Sequence, residues 1–295
     1  MELGLAGRRA IVTGGSKGIG KAIAGELLAE GAAVTICSRH AEELETAATG
    51  LMKDAAATGL MKDAAAAELM KDAAATGLMN QVSAGAAGAA ETVLAMPCDV
   101  TDPGQVTEFI DAATAAIGEL DILVNNAGAA RPGQFATLTD DDWHTDIETK
   151  LLSQIRCTRA ALPHLRQSGA PRVININAVY GRYPDPAFFA TSVNRASCLS
   201  LAKTLSMELG REAILVNSVN IGFVTTPQWE NIHRRRAPEM PAEEFFGQLA
   251  ADEVPLGRFG RPDEVAGLVA FLASDRATYI TGASVDVAGG MGKYV

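Results

Sequence analysis

Seven short runs rich in β-branched residues, at 9–13, 33–37, 92–97, 122–125, 172–176, 215–219 and 284–287, are separated by longer Ala- and Leu-rich stretches of helical character. The runs are apolar with little alternation, the pattern of strands covered on both faces. Strand and helix alternate as repeated βαβ units, which predicts an α/β fold with a doubly wound parallel sheet. Right-handed crossovers then bring the carboxyl ends of the strands, and any ligand, to one edge.

One segment breaks this economy. The nine residues from Leu51 to Gly59 recur at 60–68 and 69–77 and then die out at Leu78-Met79-Asn80. Nine residues turn a helix by about half a circle, so Leu51 and Leu69 share a face while Leu60 takes the opposite one, and no continuous apolar stripe results. Gly50, Gly59 and Gly77 weaken a helix by about 1 kcal/mol each relative to Ala. The expectation is a single domain over 1–295 in which the second crossover helix carries a repeat insertion at about 46–90.

Composition narrows the function classes. A chain of 295 residues with 48% hydrophobic and 5% aromatic content suits one large α/β domain. The net charge of -10 is spread along the chain, giving no electrostatic reason to expect nucleic acid. The one basic cluster, Arg234-Arg235-Arg236, reads as a solvated helix face or a lid contact. Cys37, Cys98, Cys157 and Cys198 form no C-x-x-C pair, so neither a zinc site nor a disulfide framework is indicated. The chain runs from Met1 into its first strand without a signal-like segment and contains no apolar run of about 18 residues, so the expected setting is the cytoplasm, away from membranes.

The loop Thr13-Gly14-Gly15-Ser16-Lys17-Gly18-Ile19-Gly20 follows the first strand and opens a helix. In that position Gly14 serves the tight turn, Gly18 lets backbone approach a pyrophosphate, and Gly20 permits close helix-to-strand packing, which marks a Rossmann-type dinucleotide site. At the end of the second strand, where an acid would hold an NAD ribose, stand Ser38 and Arg39. Arg39 and Lys17 can pair with a 2′-phosphate, so NADP(H) is expected. Asp99 and Val100, after the third strand, are candidates for the adenine end.

Together with this loop, Asn125-Asn126-Ala127-Gly128, Trp143, and the stretches 257–266 and 279–282 make the chain resemble the short-chain dehydrogenase/reductase family over nearly its whole length outside the repeats. The resemblance is strongest to the 3-oxoacyl reductase and glucose dehydrogenase branches. It implies cofactor contacts from Asn126, Ala127, Gly128, Val224 and Thr226, a small-molecule substrate, and a homo-oligomer, dimer or tetramer, built on the helices at 139–167 and 191–212. It also implies an Asn-Ser-Tyr-Lys active site, and here the chain departs: the matching positions read Lys150, Ala178, Thr191 and Arg195. Thr191 is far too weak an acid to replace a phenol, Ala178 offers no donor to a developing oxyanion, and Arg195 can bond ribose hydroxyls but not exchange protons.

Three readings stay open. The chain is an NADP(H) oxidoreductase with a relocated proton relay drawn from Lys150, Tyr180 or Tyr183; or a non-redox protein using Arg195 and Lys150 as an anion pocket; or a redox-inactive NADP(H)-binding subunit partnering an active paralogue. The segment 225–250, with Trp229, Phe245 and Phe246, has the apolar surface of a lid.

Overall fold

The computed structural model describes residues 2–57 and 93–292. Strands β1 (Arg9–Thr13), β2 (Ala33–Ser38), β3 (Val93–Pro97), β4 (Ile122–Asn125), β5 (Arg172–Ala178), β6 (Leu215–Ile221) and β7 (Ser284–Val287) form one parallel sheet in the order β3-β2-β1-β4-β5-β6-β7. The order reverses direction between β1 and β4, which is where a doubly wound sheet opens its ligand crevice. The predicted single Rossmann-type α/β domain is what forms.

Helices cover both faces because the strands are apolar on both. On one side, α1 (Gly18–Ala29), α2 (Ala41–Ala57) and α9 (Pro262–Ala273) bury Ile23, Leu27, Leu44 and Val269 against Val12, Val34 and Ile174. On the other, α3 (Pro103–Ile117), α5 (Ser153–Leu165) and α6 (Phe189–Leu209) bury Phe109, Ile110, Leu165 and Leu209 against Ile11, Leu123 and Val216. Each such fully buried aliphatic side chain contributes about 1.5–3 kcal/mol relative to exposure. Local chemistry sets the ends: Asp102 caps α3 by accepting from the amides of Gly104 and Gln105, with Pro103 in its first turn and Gly118 ending it in the left-handed region.

Residues 46–57 of the expected insertion continue α2; the remainder, including the second and third repeats, lies outside the described residues. The helix expected over 139–167 is not uniform. It begins as α4 (Asp140–Ile147), capped reciprocally by Thr139 and Asp142, passes through a π-helical turn at Glu148–Leu152, and resumes as α5. Such wide turns are frequent at functional sites, and this one carries Lys150. The segment 225–250 folds as α7 (Pro227–Arg236) and the start of α8 (Ala242–Glu253) beside the strand ends. Among the described residues no helix is long and apolar enough to cross a membrane.

Candidate active site

A cleft of about 770 Å³ opens at the carboxyl ends of the strands. Its nucleotide end is lined by Gly14, Ser16, Lys17, Gly18, Ile19 and Gly20, by Ser38 and Arg39 at the end of β2, and by Asp99 and Val100 after β3. Asn126, Ala127 and Gly128 after β4, and Val224 and Thr226 after β6, continue the wall. Every cofactor residue expected from the sequence thus faces one cavity. The glycines are sterically required: Gly14 has φ +67°, and a Cβ on Gly20 would lie 2.2 Å from the Gly14 carbonyl oxygen. Asn126 fastens the two loops, its Nδ2 donating to the carbonyls of Thr13 (2.9 Å) and Gly14 (3.1 Å), while Thr13 Oγ1 accepts from the amides of Asn126 and Ala127 (3.0 Å each). A loop this tight, ending on the amino terminus of α1, fits a pyrophosphate.

The 2′-phosphate corner differs in one respect from expectation. Lys17 is already paired with Glu43 at 2.9 Å, and that bond holds the Glu43 carboxyl below the usual carboxylate range. Arg39 lines the same corner, and the Ser38 hydroxyl is turned to the His40 carbonyl at 3.3 Å. The cleft floor at this end includes the buried thiols of Cys37 and Cys98, which stand side by side although 61 positions of sequence separate them.

At the reacting end, Lys150, Ala178, Tyr180, Thr191 and Arg195 all line the cleft. Lys150 is only 1% exposed and forms an ion pair with Asp146, one helical turn earlier, so it is not a solvated helix lysine. Burial, reinforced by the neighbouring Arg195 cation, lowers its pKa to about 8, against the opposing pull of Asp146. Arg195 donates from Nη1 to the Ile176 carbonyl at 2.9 Å, while its Nε is buried with no hydrogen-bond partner. Its other terminal nitrogen lies beside Gly128, so the guanidinium spans β5 and the loop after β4.

The other hydroxyls are poorly placed for proton exchange. Thr191 Oγ1 accepts from the Arg131 amide (3.3 Å) and donates to Asp146 (3.4 Å). Tyr180 is buried, stacked on Phe188 with ring centroids 5.0 Å apart, and burial together with Asp185 and Glu253 pushes its phenol far above the usual range. Tyr183 is half-buried and stands outside the cleft lining. His144 is exposed and His233 bonds the Met240 carbonyl at 2.7 Å; among the described residues no cluster could hold a metal ion.

Sequence reasoning missed Asn194, which donates to Asp146 at 2.8 Å from 48 residues away, and Gln228, whose Oε1 accepts from the Ala130 amide at 3.0 Å and ties α7 to the loop after β4. Neither contact leaves a local pattern. The Asp146/Lys150 pair did leave one, an acid four residues before a base on a helix. Over the substrate end, Phe223, Trp229, Phe246 and Phe259 form an aromatic cluster with ring centroids 4.7 to 5.2 Å apart, and Arg235 and Arg236 line the rim.

The family model described as enoyl-(acyl carrier protein) reductase matches residues 72–292, and that for short chain dehydrogenase matches residues 8–82. A granaticin polyketide synthase putative ketoacyl reductase from Streptomyces violaceoruber is 32% identical over 97% of this chain and 93% of its own. Among solved structures, L-sorbose reductase from Gluconobacter frateurii, in complex with NADPH and L-sorbose, superposes with a TM-score of 0.85 at 27% identity over the whole of both chains. A short chain oxidoreductase from Pseudomonas aeruginosa PAO1 containing an atypical catalytic center superposes with a TM-score of 0.83 at 33% identity, covering 99% of this chain and 100% of that one. On these matches, together with the fold and the nucleotide cleft, the chain belongs to the short-chain dehydrogenase/reductase family.

Proposed function

We propose that this protein is an NADP(H)-dependent oxidoreductase that reduces the carbonyl of a 3-oxoacyl or ketone-like substrate, with Lys150 as the proton donor. Its family membership supports the reaction class, and the NADPH held by the sorbose reductase supports the cofactor. The observation that carries the choice of donor is Lys150 itself, a cleft-lining ammonium drawn down by burial to about 8.

When bound, the reduced cofactor supplies a hydride to the carbonyl carbon. The protein has to orient the carbonyl, exclude water and deliver a proton to its oxygen. Lys150 is protonated at neutral pH yet close enough to its pKa to give the proton up, whereas Thr191 is too weak an acid and Tyr180 is held away from titration by burial. Arg195 stays charged and serves ribose binding and the developing oxyanion. The aromatic wall of Phe223, Trp229 and Phe259 receives the apolar part of the substrate.

A second reading rests on a different aspect of the same site: Lys150 and Arg195 are two buried cations beside one buried carboxylate, an arrangement that suits a bound anion and non-redox chemistry with NADP(H) structural. The third, a redox-inactive subunit of a mixed assembly, draws on the absent family relay. A homo-oligomer remains our expectation, with Val193 and Met207 of α6 as exposed apolar residues for a subunit face. The experiment that separates these readings compares NADPH oxidation by the wild type and Lys150→Met on a panel of ketones and 3-oxoacyl thioesters. Turnover in the wild type that the variant loses supports the reductase; NADPH binding without turnover favours the alternatives.

A further inference from the structure

We propose that Asp146 is the positioning residue for Lys150, and that Asn194 and Thr191 lock its carboxylate so that one charged ammonium is presented to the cleft. The inference rests on Lys150 as proton donor and deepens that reading. Asp146 does not line the cleft; it lies behind the wall, 1% exposed, with both oxygens engaged. Oδ1 accepts from Lys150 Nζ and from Thr191 Oγ1 (3.4 Å), and Oδ2 accepts from Asn194 Nδ2 (2.8 Å). The carboxylate cannot rotate without breaking a bond to α4's own continuation or to α6.

Lys150 is tied to α6 a second time through its backbone, whose carbonyl accepts from Cys198 Sγ at 3.6 Å. The π-helical turn thus has its main chain and its ammonium both referenced to α6, the helix that also carries Arg195. For stability alone this is a poor use of a buried site, because replacing a buried ion pair by apolar groups is often neutral or favourable. For proton transfer it has a definite effect. An ammonium buried beside Arg195 without a carboxylate would shed its proton; Asp146 keeps it charged, and Asn194 and Thr191 keep Asp146 where it does so.

The test is Asp146→Asn, which keeps the shape and removes the charge. The expected result is a kcat for carbonyl reduction lowered about 10- to 100-fold, in the range of acid–base contributions, with the NADPH Kd from calorimetry nearly unchanged. The loss of rate at alkaline pH should also move to lower pH, because Lys150 deprotonates sooner. Asp146→Glu restores the charge and part of the rate. Asn194→Ala leaves the charge but frees one carboxylate oxygen, and should lower kcat a few-fold, with KM for the substrate little altered and the alkaline limb in place. If Lys150→Met is inactive and the Asp146→Asn limb does not move, the positioning role is overturned. If Lys150→Met turns over like the wild type, it is the assignment of Lys150 that fails. Should Asp146→Asn not fold, an unchanged kcat in Asn194→Ala overturns the proposal.

Discussion

At the nucleotide end of the cleft the chain is shaped by backbone: Gly14 and Gly20 stand where a Cβ would strike the neighbouring main chain, and the loop is stitched by Asn126 one strand away. At the reacting end it is shaped by side chains drawn from distant parts of the sequence, with Thr191 and Asn194 meeting Asp146 across 45 and 48 residues. The first end tolerates little change because a steric rule leaves one residue type. The second can be rewritten wholesale, provided the new charges and donors satisfy one another. On our reading, that is how the cleft keeps its cofactor loop while Lys150, Ala178, Thr191 and Arg195 stand where the resemblance leads us to expect Asn, Ser, Tyr and Lys.

This contrast can be broken from either side. The largest effect is expected from Lys150→Met at the reacting end: kcat for reduction should fall about 10²- to 10³-fold, measured by NADPH oxidation at saturating substrate, while NADPH affinity stays within a few-fold. At the nucleotide end, Gly20→Ala should weaken NADPH about 100-fold by forcing the loop apart, measured by calorimetry with circular dichroism to verify folding. Arg39→Ala sharpens the picture of that corner. Because Arg39 lines the corner where a 2′-phosphate is expected, Arg39→Ala should weaken NADPH about tenfold and leave NADH nearly unaffected. Equal losses for both cofactors would contradict the 2′-phosphate assignment. The smallest effect is expected from Tyr183→Phe, which should leave kcat and KM within experimental scatter, since the side chain lies outside the cleft lining.

The same division explains what could be read in advance. β1, β4 and β7 form at the expected residues, and the Gly14 to Gly20 part of the nucleotide wall follows from a strand, a glycine loop and a helix in order, whereas Asn126, Ala127, Gly128, Val224 and Thr226 were expected only through the family resemblance. β5 and β6 run two residues beyond expectation, through Asn177 and Asn220, which look like loop residues but are fully buried. Asn220 is kept there by bonds to Ser284 (2.7 Å) and Asp286 (2.6 Å) on β7, a contact with no local signature. The π-helical turn was likewise invisible, because the residues of 148–152 are ordinary helix formers and the extra residue in the turn answers to tertiary contacts with α6. Lys150 was legible as a departure from a family pattern, and the i,i+4 spacing pointed to Asp146 as its partner; its burial and the bonds of Asn194 and Thr191 to that partner were not.

The most direct test of the central claim is the pH dependence of kcat for NADPH oxidation with a reducible ketone or 3-oxoacyl thioester, compared between the wild type and Lys150→Met. Reduction needs the protonated ammonium, and its pKa lies at about 8, so the wild-type rate should be sustained below that pH and fall above it. In Lys150→Met the rate should be low throughout and the limb absent. A wild-type protein that binds NADPH tightly yet turns over no carbonyl substrate, or a variant that keeps both rate and limb, would contradict the account.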